Sequence, residues 1–217
     1  MMVLSQYRSM TTNYSNIAKL LSRHSLVLAS GSPRRVYLLN EAGIRFRQVV
    51  PEINESNNHD WPPHEVATHL AIMKARAVRK ELAANEIALG CDTIVILENR
   101  VLGKPSSKED AFQMLSTLSG KKHVVCSAMS LLPFSGDSAD GYELTDVFFN
   151  RVTPADISRY VNSGEPLDKA GAYGIQEGGV FLVDRIAGNI DNVIGLPRIL
   201  LDKLALKLME KKGFYGI

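Results

Sequence analysis

Residues 87–97, Ile-Ala-Leu-Gly-Cys-Asp-Thr-Ile-Val-Ile-Leu, are apolar on both faces, as a central strand is, except at Asp92 and Thr93. Asp92 shares strand parity with Ile94 and Ile96. A carboxylate there is costly to bury unless it is paired or binds a metal, so a plain surface position explains it poorly. A second apolar run, residues 26–29, also suits a buried strand, and residues 36–42 then take helical spacing and stop at Gly43. Between them lies a strand-to-helix turn, Ser30-Gly31-Ser32-Pro33-Arg34-Arg35. It combines two hydroxyls, a glycine that lets a ligand approach the backbone, a proline suited to a first helical position, and two guanidinium groups. The N–H groups of a helix start, the positive end of its dipole and forked Arg donors together make an anion site, with phosphate the natural anion. A plainer reading has Ser32 cap the helix while Arg34 and Arg35 point into water.

Composition narrows the functional classes. At 217 residues and 45% hydrophobic content the chain can bury a substantial core as one large domain or two lobes. A net charge of +2 and pI near 8.5 are too mild for nucleic acid or an anionic membrane to be the main partner. Cys91 and Cys126 each lie in an apolar strand-like run and read as reduced core thiols, which points to an intracellular, cytoplasmic home. No apolar run reaches the roughly 18 residues of a membrane span. Residues 1–25 carry Arg8, Lys19 and Arg23 and no acidic side chain; they are weakly transit-like and are expected to form a flexible extension outside the fold.

Further along, residues 46–50 suit a strand and lead into a polar loop that carries Glu52 and Glu55. Residues 64–84 have helical spacing, with Ala67, Leu70, Ala71 and Val78 on one stripe. Lys74 falls on that stripe and either snorkels at the edge of the core or projects into a cleft. Residues 98–100 read as a hairpin loop, followed by Gly103-Lys104-Pro105, where Lys104 taken alone is a turn lysine. Ser107 and Asp110 form a capping arrangement for a helix along Ala111, Met114, Leu115 and Leu118 that ends at Gly120. Strands are expected at 123–132, 142–152 and 180–186, loops at 133–141 and 188–197, a helix capped by Thr153, and a terminal helix over 198–211. His123, at a strand start, reads better as a hydrogen-bonded structural histidine than as a metal ligand.

Residues 165–176 mix charges with small side chains, lack periodicity and are too long for a simple turn, as substrate loops often are. At its end, Gln176 offers one donor and one acceptor, enough to read a base edge. Zinc spacings, a Walker loop, G-x-G-x-x-G and G-x-S-x-G are all missing from the sequence, so covalent serine chemistry is unsupported. What stands out is a set of cations, Arg34, Arg35, Lys74, Lys104 and Lys169, and a pair of carboxylates, Glu55 and Asp92. Cations hold a polyphosphate; carboxylates hold a hard divalent ion that polarises a phosphoryl oxygen, and a carboxylate takes the proton of an attacking water. The chemistry indicated is hydrolysis of a nucleotide phosphoanhydride.

Seven blocks now fall into one pattern: Ala-Ser-Gly-Ser-Pro-Arg-Arg (29–35), Leu-Ala-x-x-Lys-Ala (70–75), Gly-Cys-Asp-Thr (90–93), Gly-Lys-Pro (103–105), Leu-Ser-Gly-x-x-His (118–123), Asp-Lys-Ala-Gly-Ala-Tyr-Gly-Ile-Gln (168–176) and Val-Ile-Gly-Leu-Pro (193–197). In this order they resemble the Maf family of nucleoside triphosphate pyrophosphatases over residues 26–205, within a single catalytic domain of residues 26–217. The resemblance implies an α/β fold akin to inosine triphosphate pyrophosphatases: an elongated mixed sheet flanked by helices, in two lobes with a cleft. It also implies metal-dependent attack of water on the α-phosphate, with Mg²⁺ or Mn²⁺ as cofactor, and is compatible with a homodimer. By the same likeness Ser30, Gly31, Ser32, Arg34, Arg35, Lys74, Lys104 and Lys169 would serve substrate phosphates and Gln176 the base. Glu55 and Asp92 would bind metal, with Asp92 as base and Glu55 and Lys104 beside it in catalysis. The branch acting on dTTP and UTP is similar at Arg34, Lys74 and Gln176, so those nucleotides are expected, with CTP or modified pyrimidine nucleotides as further candidates. Two positions depart from the family. Cys91 stands where alanine is usual, and Asn54 replaces an acidic neighbour of Glu55, leaving one carboxylate fewer for a metal. A reading of a different class is a non-catalytic nucleotide-binding regulator linked to cell division.

Overall fold

A computed structural model describes residues 14–54, 61–176, 178–211 and 214. Among the described residues the strands are β1 (Ser25–Ala29), β2 (Phe46–Val49), β3 (Glu86–Leu97), β4 (Arg100–Leu102), β5 (Lys122–Pro133), β6 (Ala139–Phe149) and β7 (Val183–Ala187). The helices are α1 (Ser15–Leu21), α2 (Pro33–Glu41), α3 (Pro63–Ala77), α4 (Lys108–Leu118), α5 (Pro154–Asn162), α6 (Ile190–Ile194) and α7 (Arg198–Met209). The strands hydrogen-bond in the order β2-β1-β3-β5-β6-β7, with β4 on β3, in a mixed sheet, so the chain has the expected α/β class. It groups into two compact units, a first of the described residues within 12–92, 127–143 and 195–217, and a second of Thr93–Cys126 and Leu144–Ile194.

In the first unit, β1 runs parallel to both neighbours, with Ala29 beside Val49 on one side and Gly90 on the other. Parallel pairing requires crossovers, and α2 and α3 supply them. α3 buries the expected stripe: Ala67, Leu70, Ala71 and Ala75 are inside, Val78 follows just beyond the helix end, and this face meets Val27, Ala29 and Ala88 of the strands. α7 buries Leu201, Leu204, Ala205 and Leu208. The expectation of a flexible extension through residue 25 does not hold for residues 15–21. They form α1, whose Ile17 and Leu20 are each 1% exposed. Tyr14 provides no side-chain cap; instead Asp202 of α7 accepts bonds from the backbone N–H groups of Asn16 and Ile17, both at 2.9 Å, and neutralises the helix start.

In the second unit, β3 turns into β4 through Glu98 and Asn99, both with left-handed φ (51° and 64°), pairing Leu97 with Arg100. Ser107 and Thr153 cap α4 and α5 as expected, accepting from Asp110 and Asp156 backbone N–H groups. β6 pairs antiparallel with β7. One core gathers Leu115 and Leu118 of α4, Ile157 and Val161 of α5, Val147 and Phe149 of β6 and Tyr173 and Ile175 of the 165–176 segment. Of the strand expected over 180–186, residues 183–186 lie in β7 while residues 180–182 belong to a 3₁₀ turn, Gly178–Leu182, that precedes it, and the expected loop 188–197 contains α6.

Candidate active site

The turn after β1 is held from four directions. Ser30, only 5% exposed, accepts through its Oγ from Arg35 Nη1 at 2.8 Å and from the Ser32 backbone N–H at 3.3 Å. Its carbonyl accepts from the Gln48 side chain of β2 at 2.7 Å, a neighbour fixed by the parallel register. Arg35, itself buried, donates through Nε to the Gly195 carbonyl at 3.0 Å. Ser32 does sit at the N-cap position of α2 in an extended conformation, yet its hydroxyl makes no capping bond. The plain capping account of the turn therefore fails. Gly31 is exposed, and a Cβ built there would lie 3.5 and 3.6 Å from the Val50 methyls, an ordinary contact. The fold itself thus has no need of glycine at 31. Arg34, in the first turn of α2, is half-buried.

Midway along β3, just past the level at which β1 ends, Lys74 of α3 donates to Asp92 Oδ1 at 2.6 Å, with the two side chains 12% and 9% exposed. The strand chemistry that permits this lies two residues earlier. A Cβ on Gly90 would come within 2.0 Å of the Ala71 carbonyl oxygen and 2.7 Å of the Ala75 nitrogen, so only glycine lets α3 lie this close. Because Ala29 pairs with Gly90, the turn that starts at Ser30 leaves the sheet at the level of Cys91 and Asp92. The Cys91 thiol registers the gathering of charge. Burial pushes it up to about 11; Arg35 and Lys74 pull it down and Asp92 pushes it up, so all three charges act on one buried atom. The thiol stays protonated and is a packing group, as its sequence context indicated.

The donor set can be compared with what a divalent ion requires. Among the described residues no three His, Cys, Asp or Glu side chains form a metal-binding group. Glu55, the second expected carboxylate, lies outside the described residues. One carboxylate, Asp92, beside the donors of the turn does not suit a closed tetrahedral cage; its oxygen chemistry is of the kind that fits Mg²⁺, an ion that keeps waters and takes other oxygens from a bound phosphate.

In the second unit, Lys104 is exposed and makes no ion pair with a described residue, while the carbonyl of Gly103 accepts from the Gly171 N–H at 2.9 Å. Gly171 and Ala172 both adopt left-handed φ (66° and 60°), and Ala172 is fully buried. Such backbone persists only where its surroundings hold it. Here Tyr173 shares a 2.7 Å hydrogen bond with His123 Nε2, Tyr160 donates to Glu165 Oε1 at 2.9 Å and accepts from the Gly174 N–H, and Glu165 Oε2 accepts from the Gly178 N–H. Lys169, expected among phosphate contacts, is 8% exposed and donates to the Glu165 carbonyl (2.5 Å) and to Asp168 (2.8 Å), so these bonds hold the loop closed. Gln176 is half-buried just past Ile175. Burial holds His123 neutral, its pKa lowered to about 4, as suits a structural histidine.

A family model described as Maf-like protein matches residues 25–208, from the first residue of β1 almost to the end of α7. The chain belongs to the Maf-like family. Among its relatives, a dTTP/UTP pyrophosphatase from Acetivibrio thermocellus is 43% identical over 179 residues, covering 79% of this chain and 89% of that protein. A dTTP/UTP pyrophosphatase from Bacillus anthracis is 45% identical over 172 residues, with the same coverage. Among solved structures, a HAM1 protein from Coxiella burnetii is 18% identical with a TM-score of 0.47, covering 87% of this chain and 100% of that one, a likeness too loose to carry an argument. Within this Maf-like chain, the geometry adds residues that sequence reasoning passed over. Gln48 was hidden in an ordinary strand, and its one signal was an amide beside an apolar edge. Gly195 belonged to a recognised block, but nothing in that block said that its carbonyl would meet Arg35. Tyr160, just before the 165–176 segment, and Glu165, its first residue, close it.

Proposed function

We propose that this Maf-like protein is a nucleoside triphosphate pyrophosphatase that converts dTTP and UTP, with CTP or modified pyrimidine nucleotides as further substrates, to the monophosphate and pyrophosphate. The observation that carries the reading is the placement of the Ser30–Arg35 turn, where β1 ends, beside the Lys74–Asp92 pair, which lies midway along the adjacent parallel strand β3 two residues past the Ala29–Gly90 pairing. The names of relatives more than 40% identical point the same way. Ligands of open α/β sheets bind at the carboxyl ends of the strands, and the turn follows the carboxyl end of β1. In this reading the turn's N–H groups, the Ser30 hydroxyl and Arg34 hold phosphate oxygens, and Lys74 orients Asp92. Asp92 takes a proton from water as its oxygen attacks the α-phosphorus; the bond to the α,β-bridging oxygen breaks and pyrophosphate leaves with that electron pair. When bound by Asp92 and Glu55, Mg²⁺ or Mn²⁺ would neutralise phosphate charge and act as a Lewis acid. Lys104 and Gln176 keep the phosphate and base roles that the family resemblance implies. The nucleotide pool of the cytoplasm is the setting this reading implies; no helix among the described residues is long and apolar enough to cross a membrane.

A panel of nucleoside triphosphates that includes 7-methyl-GTP, scored for pyrophosphate against orthophosphate, tests reaction and branch together. Pyrophosphate from dTTP and UTP is expected, and Asp92→Asn should lower the rate at least about 100-fold with the fold retained. Unchanged activity in Asp92→Asn overturns the mechanism. Tight nucleotide binding with no turnover across the panel would replace the enzyme with a binding protein.

A further inference from the structure

Two adjacent arginines at a phosphate turn invite the assumption that both grip phosphate. Their surroundings differ. Arg35 is 8% exposed and its guanidinium is fixed at two points, Nε on the Gly195 carbonyl and Nη1 on Ser30 Oγ. A planar fork held by two bonds at right distances has its orientation set. Ser30 Oγ is a saturated acceptor, since a hydroxyl oxygen has two lone pairs and here receives Arg35 Nη1 and the Ser32 N–H. Its one hydrogen is left with the remaining tetrahedral position, and the hydroxyl donates to no acceptor among the described residues. Ser30 is 5% exposed, its carbonyl is held by Gln48 and its Oγ by Arg35 and the Ser32 N–H, so turning the hydroxyl elsewhere would break two bonds. A buried donor with no acceptor among the described residues, in a turn rich in donors, is suited to an acceptor oxygen of a ligand.

We infer that Arg35 is a positioning residue: it acts through Ser30, occupying the hydroxyl's lone pairs together with the Ser32 N–H so that its hydrogen points at a phosphate oxygen. This rests on the phosphate-cradle reading above and sharpens it, dividing the two arginines into a phosphate ligand, Arg34, and an orienter, Arg35. If Arg35 supplied only charge, lysine would replace it in part. If it supplies direction, lysine fails, because an ammonium cannot bridge Gly195 and Ser30 with fixed geometry.

The test is a double-mutant cycle of Ser30→Ala with Arg35→Met and with Arg35→Lys. Each variant is measured for kcat and KM with dTTP, for affinity toward inorganic pyrophosphate by calorimetry, and for melting temperature; Arg34→Ala runs alongside. Expected is a loss in kcat/KM of about 10- to 100-fold for Ser30→Ala and for either Arg35 variant, the scale of one hydrogen bond to a charged group. Adding Ser30→Ala to either Arg35 variant should change kcat/KM by less than about twofold, since the orienter and the oriented group act as one unit. Should Arg35→Met fail to fold, Arg35→Lys carries the cycle by itself. Losses that multiply in the double variant, or Arg35→Lys within about threefold of the unsubstituted protein, would show that Arg35 meets phosphate directly and overturn the inference. In that case Arg34→Ala would still impair turnover and the cradle reading would stand. A protein that neither releases pyrophosphate from dTTP nor binds inorganic pyrophosphate overturns both.

Discussion

Replacing Gly90 by alanine should separate Lys74 from Asp92 without touching either. The new Cβ would sit 2.0 Å from the Ala71 carbonyl oxygen, 2.7 Å from the Ala75 nitrogen and 3.0 Å from the Ala75 Cβ. The first two are backbone atoms of α3 and cannot rotate aside. Ordinary contact begins at 3.4 Å, so α3 must retreat by about 1.4 Å. Lys74 rides on that helix, and a retreat of this size stretches its 2.6 Å bond to Asp92 to roughly 4 Å, beyond hydrogen-bond range. Overpacking against a rigid backbone costs about 2–3 kcal/mol, which for a chain of this length lowers Tm by about 4–12 °C. A displacement near 1 Å at the reacting groups lowers kcat/KM by about 100-fold. Differential scanning fluorimetry and pyrophosphate release from dTTP measure the two effects on the same preparation. If Gly90→Ala keeps both Tm and rate, glycine is not what seats α3, and the account of how the ion pair is placed is wrong.

Gly31→Ala provides the opposite case. Its Cβ meets only the Val50 methyls at 3.5 Å or more, so Tm should change by less than about 2 °C while KM for dTTP rises at least about 10-fold as the methyl occupies the ligand's approach; an unchanged KM would remove Gly31 from the cradle. His123 should impose a pH dependence on stability. Its folded pKa of about 4 lies below the ordinary 6.5, so between those values the unfolded chain binds the proton and the folded chain refuses it. The stability is therefore complete above 6.5 and declines as pH falls toward 4, by about 2–3 kcal/mol at pH 4.5. Urea titrations at pH 7 and 4.5 should show that loss in the unsubstituted protein and a smaller one in His123→Gln; equal losses would refute the assignment.

Local patterns were legible because local physics makes them. The stripe of Ala67, Leu70 and Ala71, the caps at Ser107 and Thr153 and the central strand around Asp92 each follow from spacing or from one side chain bonding a nearby N–H, and the structure contains all of them. α1 was missed for a related reason. Its seven residues lack a cap of their own, and the carboxylate that stabilises the helix start comes from Asp202, more than 180 positions away. The expected strand began three residues too early, at 180, because Val180, Phe181 and Leu182 carry no period that separates a 3₁₀ turn from a strand.

The candidate site divides along the same line. Chemical character was readable from the chain alone: a turn rich in donors, a carboxylate inside an apolar strand, a lysine on an apolar stripe. Those residue types are improbable in those positions without a partner, and improbability is visible without coordinates. The assignment of partners waited on folding. Nothing in residues 29–35 says that Arg35 turns inward to Gly195 and Ser30, or that Lys169 closes its own loop. Hydrogen bonds run between atoms within about 3 Å of each other, and which distant atoms come that close depends on strand register and on where a helix is allowed to lie. The parallel pairing of Ala29 with Gly90, and the missing side chain at Gly90, make those two choices for this site.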